Sequence, residues 1–354
     1  MNKLEDTLSL CEYCYRHIPA VRFERDNAIW LGKTCKWHGY VERLVEPDAD
    51  FYLTHNYHRH SLGTYCIDVT NRCNLACPQC YQEPDNTSKD PSISKILELI
   101  SKWPDDGFSV ALMGAEPTTR KDLPELIHAI QDMPGMKRGI MILTNGVYLS
   151  DYEYAKEFAG IKNLAWTIGL NHPDYQGHTV RAKQMEGMNN CIELGLVIKN
   201  ISYTLEDMSQ MEYCLDEIQE FGYDMCQSYR IRCGAEIGRF PGGPKIYLSE
   251  LVANAKHIAN LRGWSTDVDY NDGNRSHYPL IINGIVIKII QWPDVTTIDL
   301  KEIQTESIAD MLPGLTPSPL VHQVILRDGT VNKGQPLYDK IPQEYINNYG
   351  NKRD

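Results

Sequence analysis

The pattern of apolar and polar residues divides the chain into three regions of different texture. From about residue 63 to 240, short apolar runs alternate with amphipathic segments whose apolar residues recur every three or four positions. Short apolar runs between turn residues are typical of buried strands, and the three-and-four spacing is typical of helices. The pattern predicts six strands, and a helix follows each of the first five.

The predicted strands are 65–70, 108–113, 139–143, 163–170, 196–204 and 225–232. The predicted helices are 92–103, 122–133, 149–160, 179–194 and 209–222. This alternation favours an α/β fold with a parallel sheet and right-handed crossovers, either open or curled into a barrel. In both arrangements the chemistry lies at the carboxyl ends of the strands.

The two flanking regions have other patterns. Residues 1–50 are rich in turns and cysteines, whereas residues 245–354 contain hairpin signals. Apolar runs flank Asn283-Gly284, which is a strong two-residue hairpin signal, and the run 321–333 repeats it more weakly. We interpret the third region as a small antiparallel sheet on or over the barrel mouth that shapes the substrate site. The predicted domains are therefore 1–50, 63–240 and 245–354.

Composition places the chain among ordinary folded proteins, with 354 residues, 42% hydrophobic and 23% charged. A net charge of -12 disfavours a general role in coating nucleic acid, although it is compatible with a local basic groove. We do not expect the mixed, charged N-terminus to act as a signal or transit peptide, and the most apolar run is too short to span a bilayer. We expect a cytoplasmic protein with no membrane partner.

Cysteines are concentrated near the N-terminus. Seven of the eleven precede residue 81, namely Cys11, Cys14, Cys35, Cys66, Cys73, Cys77 and Cys80. Thiols stay reduced in the cytoplasm, so this clustering predicts metal ligation rather than disulfides. The scattered Cys191, Cys214, Cys226 and Cys233 are predicted to be small buried side chains.

The run "CNLACPQC" follows the first predicted strand and contains Cys73, Cys77 and Cys80. Three thiolates on a tight loop can bind three corners of an iron–sulfur cube and leave one iron open to another ligand. A zinc knuckle or redox dithiol is the alternative interpretation. A zinc knuckle requires a fourth ligand close by, and the histidines of "HNYHRH" (55–60) lie before the strand.

Three motifs in this order resemble the radical S-adenosylmethionine (SAM) superfamily. They are the CxxxCxxC loop, "MGAEPT" (113–118), which is similar to the family's GGEP motif, and "LTNG" (143–146). The resemblance covers the middle region and implies a partial (β/α)6 TIM barrel. The fold class is then α/β, with a zinc-ribbon-like module before the barrel and a small C-terminal α+β extension.

The resemblance implies a [4Fe-4S] cluster on the three cysteines, with SAM on the open iron. One-electron cleavage of SAM then yields a 5′-deoxyadenosyl radical that removes hydrogen from a substrate carbon. The backbone and Glu116 of the second motif would hold the methionine amino group. The residues expected to bind this cofactor are Cys73, Cys77, Cys80, Tyr81, Gly114, Ala115, Glu116, Pro117, Thr144, Asn145, Asn171 (ribose) and Arg232 (methionine carboxylate).

The sequence departs from the family pattern at two positions. Gln79 stands where an aromatic residue is common, and Ala115 replaces the second glycine of the GGEP motif. A methyl group is tolerable at position 115 if the φ angle there is negative.

The N-terminal cysteines predict a second metal site. Cys11, Cys14, Cys35 and His38 have zinc-ribbon or rubredoxin-like spacing, and Cys66 is an alternative to His38. We expect one structural Zn or Fe, because so short a module cannot build a sufficient core; electron transfer through iron is the alternative. The order of the two modules, a ribbon followed by this core, resembles that of tetraether lipid synthase-type radical SAM proteins. The resemblance is limited to this arrangement, so it does not imply a lipid substrate for this chain.

These observations predict a radical SAM enzyme of isomerase or oxidoreductase type. It would act on a small polar substrate by rearrangement, oxidation or coupling, with a reductant such as flavodoxin or ferredoxin. One alternative is a nucleobase of DNA or RNA as substrate, since 55–60 and 230–245 are locally basic. Another is an iron–sulfur or zinc protein that carries electrons or serves as a scaffold.

Overall fold

The computed structural model describes most of the predicted barrel and ribbon. The described residues are 1–13, 17–54, 64–78, 80, 84–101, 109–134, 139–233, 245–268, 277–291, 297 and 324–325.

The N-terminal region is an antiparallel sheet of four strands in chain order. The strands are β1 (Asn2–Leu10), β2 (His17–Arg25), β3 (Ala28–Cys35) and β4 (Gly39–Glu46), followed by helix α1 (Ala49–Thr54). Asp26 and Asn27 turn the chain between β2 and β3 with φ angles of 54° and 56°, as a two-residue hairpin turn of the primed type requires. The N-terminal region is therefore a meander of four strands, an arrangement that the sequence analysis did not specify.

The middle region contains six parallel strands that lie side by side in chain order. They are β5 (Thr64–Thr70), β6 (Ser109–Gly114), β7 (Gly139–Thr144), β8 (Leu164–Leu170), β9 (Val197–Leu205) and β10 (Ser228–Cys233). Each prediction from the apolar runs agrees with the observed strand to within three residues at either end. The parallel order confirms the barrel-type core of the predicted fold class.

Helices cover one face of this sheet. They are α2 (Ile93–Ile100), α3 (Leu123–Gln131), α4 (Tyr152–Lys156), α5 (Pro173–Gln176), α6 (His178–Glu193), α7 (Gln210–Phe221) and α8 (Leu248–Leu261). The main hydrophobic core lies between them and the sheet, with fully buried Ile67, Leu112 and Trp166 on the strands. We call the opposite face of the sheet the inner face. One prediction was too long: in place of a helix over 149–160, a 3₁₀ turn (Val147–Ser150) precedes the short α4.

The C-terminal hairpin forms as predicted, but it does not lie on or over the barrel mouth. Strands β12 (Tyr278–Ile282) and β13 (Ile285–Ile290) pair antiparallel about Asn283 and Gly284, both with positive φ, and β11 (Thr266–Val268) pairs with β12. However, β13 also pairs in parallel with β10, so these strands extend the barrel sheet rather than cover its mouth. The reason is burial on both sides: the helix-side isoleucines of β13 are in the main core, and its other residues are half-buried.

The second hairpin signal has a different outcome. Strand β14 (Val324–Ile325) pairs in parallel with β5, at the other edge of the ten-stranded sheet. The rest of the segment 321–333 lies outside the described residues.

The ribbon module is held against the C-terminal helix of the barrel. Glu46, only 3% exposed, accepts hydrogen bonds from the hydroxyl and backbone N–H of Ser249 on α8. Lys245 Nζ donates to the carbonyl of Leu44 at 3.1 Å. Burial raises the pKa of Glu46, which makes this contact sensitive to pH.

Candidate active site

The cysteine loop begins where β5 ends, at the carboxyl edge of the sheet. Cys73, Cys77 and Cys80 are half-buried, and the backbone folds tightly there, with Cys80 N donating to Cys77 O at 3.2 Å. Leu75 N lies 3.3 Å from the Cys73 sulfur, as an N–H donor to a thiolate does. The predicted ligands therefore share one short loop at the expected edge.

The surroundings of Cys73 favour a bound cation. Burial, together with nearby acidic groups, raises the pKa of its thiol to about 12. Such a thiol stays protonated unless positive charge offsets the burial and the neighbouring carboxylate. Iron supplies that charge and ionises coordinating thiols, so the donor set fits a sulfur-ligated cluster.

A half-buried ion pair fixes the start of this loop. The Arg72 guanidinium binds both carboxylate oxygens of Asp90 and donates to Thr119 O at 3.1 Å. The Thr70 hydroxyl donates to the same carboxylate at 2.6 Å. A fork of this kind restricts the backbone just before Cys73, which is what a rigid cluster loop requires.

The "MGAEPT" loop after β6 is joined to the cysteine loop by backbone hydrogen bonds. Ala115 N donates to Thr70 O at 3.1 Å, and Glu116 N donates to Arg72 O at 2.9 Å. Gly114 has a φ angle of 122°, and a Cβ atom there would lie 2.3 Å from Thr70 O. Ala115 is not among the described residues with positive φ, so the condition for its methyl group is met.

Glu116 connects the ends of β6 and β7. Its Oε1 accepts from Thr118 N (3.0 Å), Thr118 Oγ1 (2.5 Å) and Thr144 Oγ1 (2.6 Å), and its Oε2 accepts from Asn145 N (2.7 Å). The side chain is 1% exposed, and burial raises its pKa. Both Glu116 and Thr144 were predicted to bind SAM, but the hydrogen bond between them was not predicted. Oε2 accepts one hydrogen bond, from Asn145 N, so it has a second lone pair that can accept from an ammonium group.

Asn145 connects three strand ends. Its Nδ2 donates to Asn74 Oδ1 of the cysteine loop at 2.8 Å, and its carbonyl accepts from Gln184 Nε2 at 2.8 Å. Gln184, fully buried on α6, also donates to Gly169 O at 3.1 Å. Asn74 and Gln184 were not predicted as site residues; for Gln184, an amide at a buried helix position was the available signal.

The two remaining predicted SAM contacts lie farther along the sheet. Asn171 follows β8, one strand beyond β7, and its carbonyl accepts from Arg181 Nη2 at 2.6 Å. Arg232 lies on β10, three strands beyond β7, and its Nε donates to Thr204 Oγ1 at 3.0 Å. Pro117 begins the 3₁₀ turn after Glu116, and Tyr81 and Gln79 lie outside the described residues.

The ribbon brings together three of the four residues predicted to bind a metal. The His38 Nδ1 lies 3.4 Å from the sulfurs of both Cys11 and Cys35, and one ligand atom of each residue lies within 4.8 Å of the others. Burial opposes ionisation of Cys35, but hydrogen bonds from Trp37 and His38 lower its pKa to about 6. A thiolate at neutral pH fits a tetrahedral metal site.

The other candidates for this metal lie beyond what the structure describes. Cys14 is outside the described residues, and so is the side chain of Cys66, whose backbone pairs with Ala111 in the barrel sheet. The placement of His38 beside both sulfurs supports it as a ligand, and the full ligand set stays a prediction.

Family comparisons agree with the architecture. The model of the radical SAM superfamily matches residues 67–209, and that of the HMPTM N-terminal zinc ribbon domain matches residues 3–47. The chain therefore contains a radical SAM domain and an N-terminal zinc ribbon. A radical SAM domain implies a [4Fe-4S] cluster and SAM, and the ribbon implies a structural metal.

Similar proteins include two curated enzymes. The chain is 30% identical to a 7,8-dihydro-6-hydroxymethylpterin dimethyltransferase of Methanocaldococcus jannaschii, over 53% of this chain and 44% of that protein. It is 31% identical to a GTP 3′,8-cyclase of Alkaliphilus oremlandii, over 44% of this chain and 50% of that protein. The chain thus spans about half the length of these relatives.

A solved structure supports the fold. Streptococcus suis SuiB bound to the precursor peptide SuiA has a TM-score of 0.52 and 14% identity, covering 86% of this chain and 70% of that chain. Among the described helices, none is long and apolar enough to cross a membrane.

Proposed function

We propose that this radical SAM enzyme removes a hydrogen atom from a small polar substrate that contains a purine- or pterin-type ring. The observation that carries the proposal is the convergence of three strand ends: the cysteine loop, the "MGAEPT" loop and Asn145 are hydrogen-bonded to one another. An electron carrier has no need of a buried carboxylate held beside its cluster loop. The arrangement therefore favours an enzyme that grips SAM.

The residues have separate tasks in this proposal. Cys73, Cys77 and Cys80 hold three irons, which leaves the fourth open. Glu116 offers its remaining acceptor direction to the methionine ammonium, whose charge offsets the burial of the carboxylate. Asn145 holds the cysteine loop against β7 through Asn74.

When bound, the cluster held by Cys73, Cys77 and Cys80 would pass one electron to SAM. Cleavage of a sulfonium C–S bond would then supply methionine and a 5′-deoxyadenosyl radical for removal of a hydrogen atom from the substrate. The electron comes from a reductant such as flavodoxin or ferredoxin. The reaction requires that water be excluded from these strand ends, because such a reactive species would otherwise attack its surroundings.

The substrate class rests on the relatives. One similar protein is named for a pterin and the other for GTP, and both compounds contain fused nitrogen heterocycles. One is a methyltransferase and the other a cyclase, so the reaction subclass of this chain stays a proposal; we favour rearrangement, oxidation or coupling. The basic segments 55–60 and 230–245 suggested a nucleic-acid substrate. Residues 55–60 and 234–244 lie outside the described residues, whereas Arg230, Arg232 and Lys245 are described.

We also propose that the ribbon metal is structural, as Zn or Fe, on Cys11, Cys35 and His38 with Cys14 as the fourth ligand. The small sheet buries only a modest core around Phe23, Ile29 and Leu31 among the described residues. A metal would supply the stability that such a core lacks.

The test is anaerobic incubation of the reconstituted protein with SAM and dithionite. We expect 5′-deoxyadenosine from the wild type and a large increase on addition of GTP or 7,8-dihydro-6-hydroxymethylpterin. The Cys77→Ala variant should lose both the product and the SAM-induced change in the electron paramagnetic resonance spectrum. The matched control is Cys191→Ala, because Cys191 is fully buried in the main core, away from the loop.

Two results would contradict the proposal. A wild-type protein with a full cluster that yields no 5′-deoxyadenosine would favour the electron carrier. Stimulation by a peptide or an oligonucleotide, but by neither heterocycle, would overturn the substrate class.

A further inference from the structure

Three cationic side chains lie together on the inner face of the sheet. Arg230 and Arg232 alternate along β10 with Tyr229, Ile231 and Cys233, which belong to the hydrophobic core on the helix side. Successive side chains of a strand point to opposite faces, so both arginines face inward. Lys288 of β13 stands between Ile287 and Ile289 of the same core and also faces inward.

Strand register brings these cations close together. Arg230 pairs with Lys288 across the parallel β10–β13 ladder, and neighbouring strands are about 4.8 Å apart. Arg232 lies two residues farther along the same face. Like charges directly opposite each other on a sheet are destabilising, so chance packing does not favour such a pair.

Hydroxyl groups lie beside the cations on β9. Ser202 and Thr204 pair with Arg230 and Arg232, respectively, and Thr204 Oγ1 accepts from Arg232 Nε at 3.0 Å. The three cations are half-buried and already make contacts within the chain, so they are held in position before a ligand arrives. Fixed guanidinium groups with adjacent hydroxyls are the donors that phosphate oxygens accept.

The position of this group argues against the methionine carboxylate as its ligand. The methionine end of SAM must lie near the open iron and Glu116, at the ends of β5, β6 and β7. Arg232 lies three strands beyond β7, roughly 14 Å along the sheet. It is at the far side of the carboxyl edge, where the substrate would lie.

We propose that Arg230, Arg232 and Lys288 form an anion subsite that binds the phosphate groups of a phosphorylated substrate. The inference rests on the proposed function, because it assumes that the inner face holds the substrate. Three cations suit a diphosphate or longer chain better than a single carboxylate. The phosphates anchor the substrate at β10 and β13, and its ring extends toward the cysteine loop.

The probe is inorganic pyrophosphate, measured by calorimetry on the reconstituted protein without SAM. We expect saturable binding to the wild type that weakens as salt rises. Each of Arg230→Gln and Lys288→Gln should weaken it about tenfold, the effect of losing one charged hydrogen-bond donor. Lys288→Arg keeps the charge and should keep most of the affinity.

The matched control is Arg262→Gln, which removes the same charge from an exposed arginine paired with Asp216 and Glu212 on the helix side. It should leave pyrophosphate binding unchanged. Thermal unfolding of every variant separates loss of the site from loss of the fold: if Lys288→Gln and Lys288→Arg lose affinity equally, the role of Lys288 is structural and the proposal fails.

Other outcomes also overturn the subsite. If the wild type forms 5′-deoxyadenosine but binds no pyrophosphate, the proposed function stands and the subsite is refuted. If Arg232→Gln weakens SAM binding but not pyrophosphate binding, Arg232 returns to the methionine carboxylate. Binding of a duplex oligonucleotide without binding of pyrophosphate would assign the cations to a nucleic acid instead.

Discussion

Among the described glycines, Gly114 is one where a side chain would collide with backbone atoms. Its φ angle is 122°, and a Cβ atom would lie 2.3 Å from Thr70 O and 3.3 Å from the Thr70 carbonyl carbon and nitrogen. All three atoms are backbone, so no rotamer change relieves the overlap. Gly114→Ala must therefore either strain the loop or separate the ends of β5 and β6.

The expected loss of stability follows from two effects. An L-residue held at such a φ angle costs roughly 1–3 kcal/mol. Separation of the strands breaks the 3.1 Å hydrogen bond from Ala115 N to Thr70 O, which contributes about 1 kcal/mol. We expect Gly114→Ala to lower the free energy of unfolding by roughly 2–4 kcal/mol.

The assay is urea unfolding of the anaerobically reconstituted protein, with cluster content and SAM-dependent spectral change as second readouts. Ala115→Gly is the control, since it restores a glycine where φ is not positive and should cost no more than about 1 kcal/mol. The spectral response of Gly114→Ala should fall even in samples that retain iron, because the loop that meets SAM has moved. If Gly114→Ala unfolds within about 0.5 kcal/mol of the wild type, the close approach of the two loops is wrong.

Three further predictions concern the ribbon. The raised pKa of Glu46 means that its carboxyl group binds a proton more tightly in the folded state than in the unfolded state. The resulting contribution to the free energy of unfolding is complete below the ordinary pKa of 4.5 and is lost as pH rises through the raised pKa, so Glu46→Gln should flatten that part of a stability–pH curve. The hydrogen bond from Arg25 lowers the pKa of Glu42, so the contribution of Glu42 to the free energy of unfolding is present above pH 4.5 and is lost as pH falls through the lowered pKa. Glu42→Gln should therefore flatten the acid side of the stability–pH curve. Equal curves for the Glu46 and Glu42 variants would contradict the opposite pKa shifts of the two residues. Cys35→Ala should release the ribbon metal and lower the melting temperature without removing iron from the cluster. The zinc and iron content per protein chain, compared with the wild type, checks this. An unchanged metal content would show that Cys35 is not a ligand.

The sequence predicted those elements whose signals are local. The helix and strand periods, the Asn283-Gly284 turn and the metal-ligand spacings each depend on a few neighbouring residues. The structure contains the six predicted strands and the turn, and it brings Cys11, Cys35 and His38 together. Motif order was enough to place the cysteine loop and Glu116 at one edge, because parallel strands of an α/β sheet end on the same side.

Pairings between distant residues were not predictable in this way. Nothing near Ile285–Ile290 specifies that β13 joins β10 rather than packing over the barrel, although its nearly continuous apolar run is typical of a strand buried on both faces. The partners of Glu116 likewise come from β7, far along the chain. A residue assigned to a ligand from its motif thus proved to bind neighbouring strands as well.

The two proposals together imply that acidic and cationic groups lie at opposite ends of the sheet. At the β5–β7 end, burial raises the pKa values of the Cys73 thiol and the Glu116 carboxyl, and a cationic ligand would favour their ionised forms. Cations gather at the β10–β13 end, where we propose that the anionic part of the substrate binds. A substrate with a neutral ring and charged phosphates fits this field in only one orientation, with the ring toward the cluster. The orientation that hydrogen abstraction requires is then fixed by charge before any contact with the ring itself.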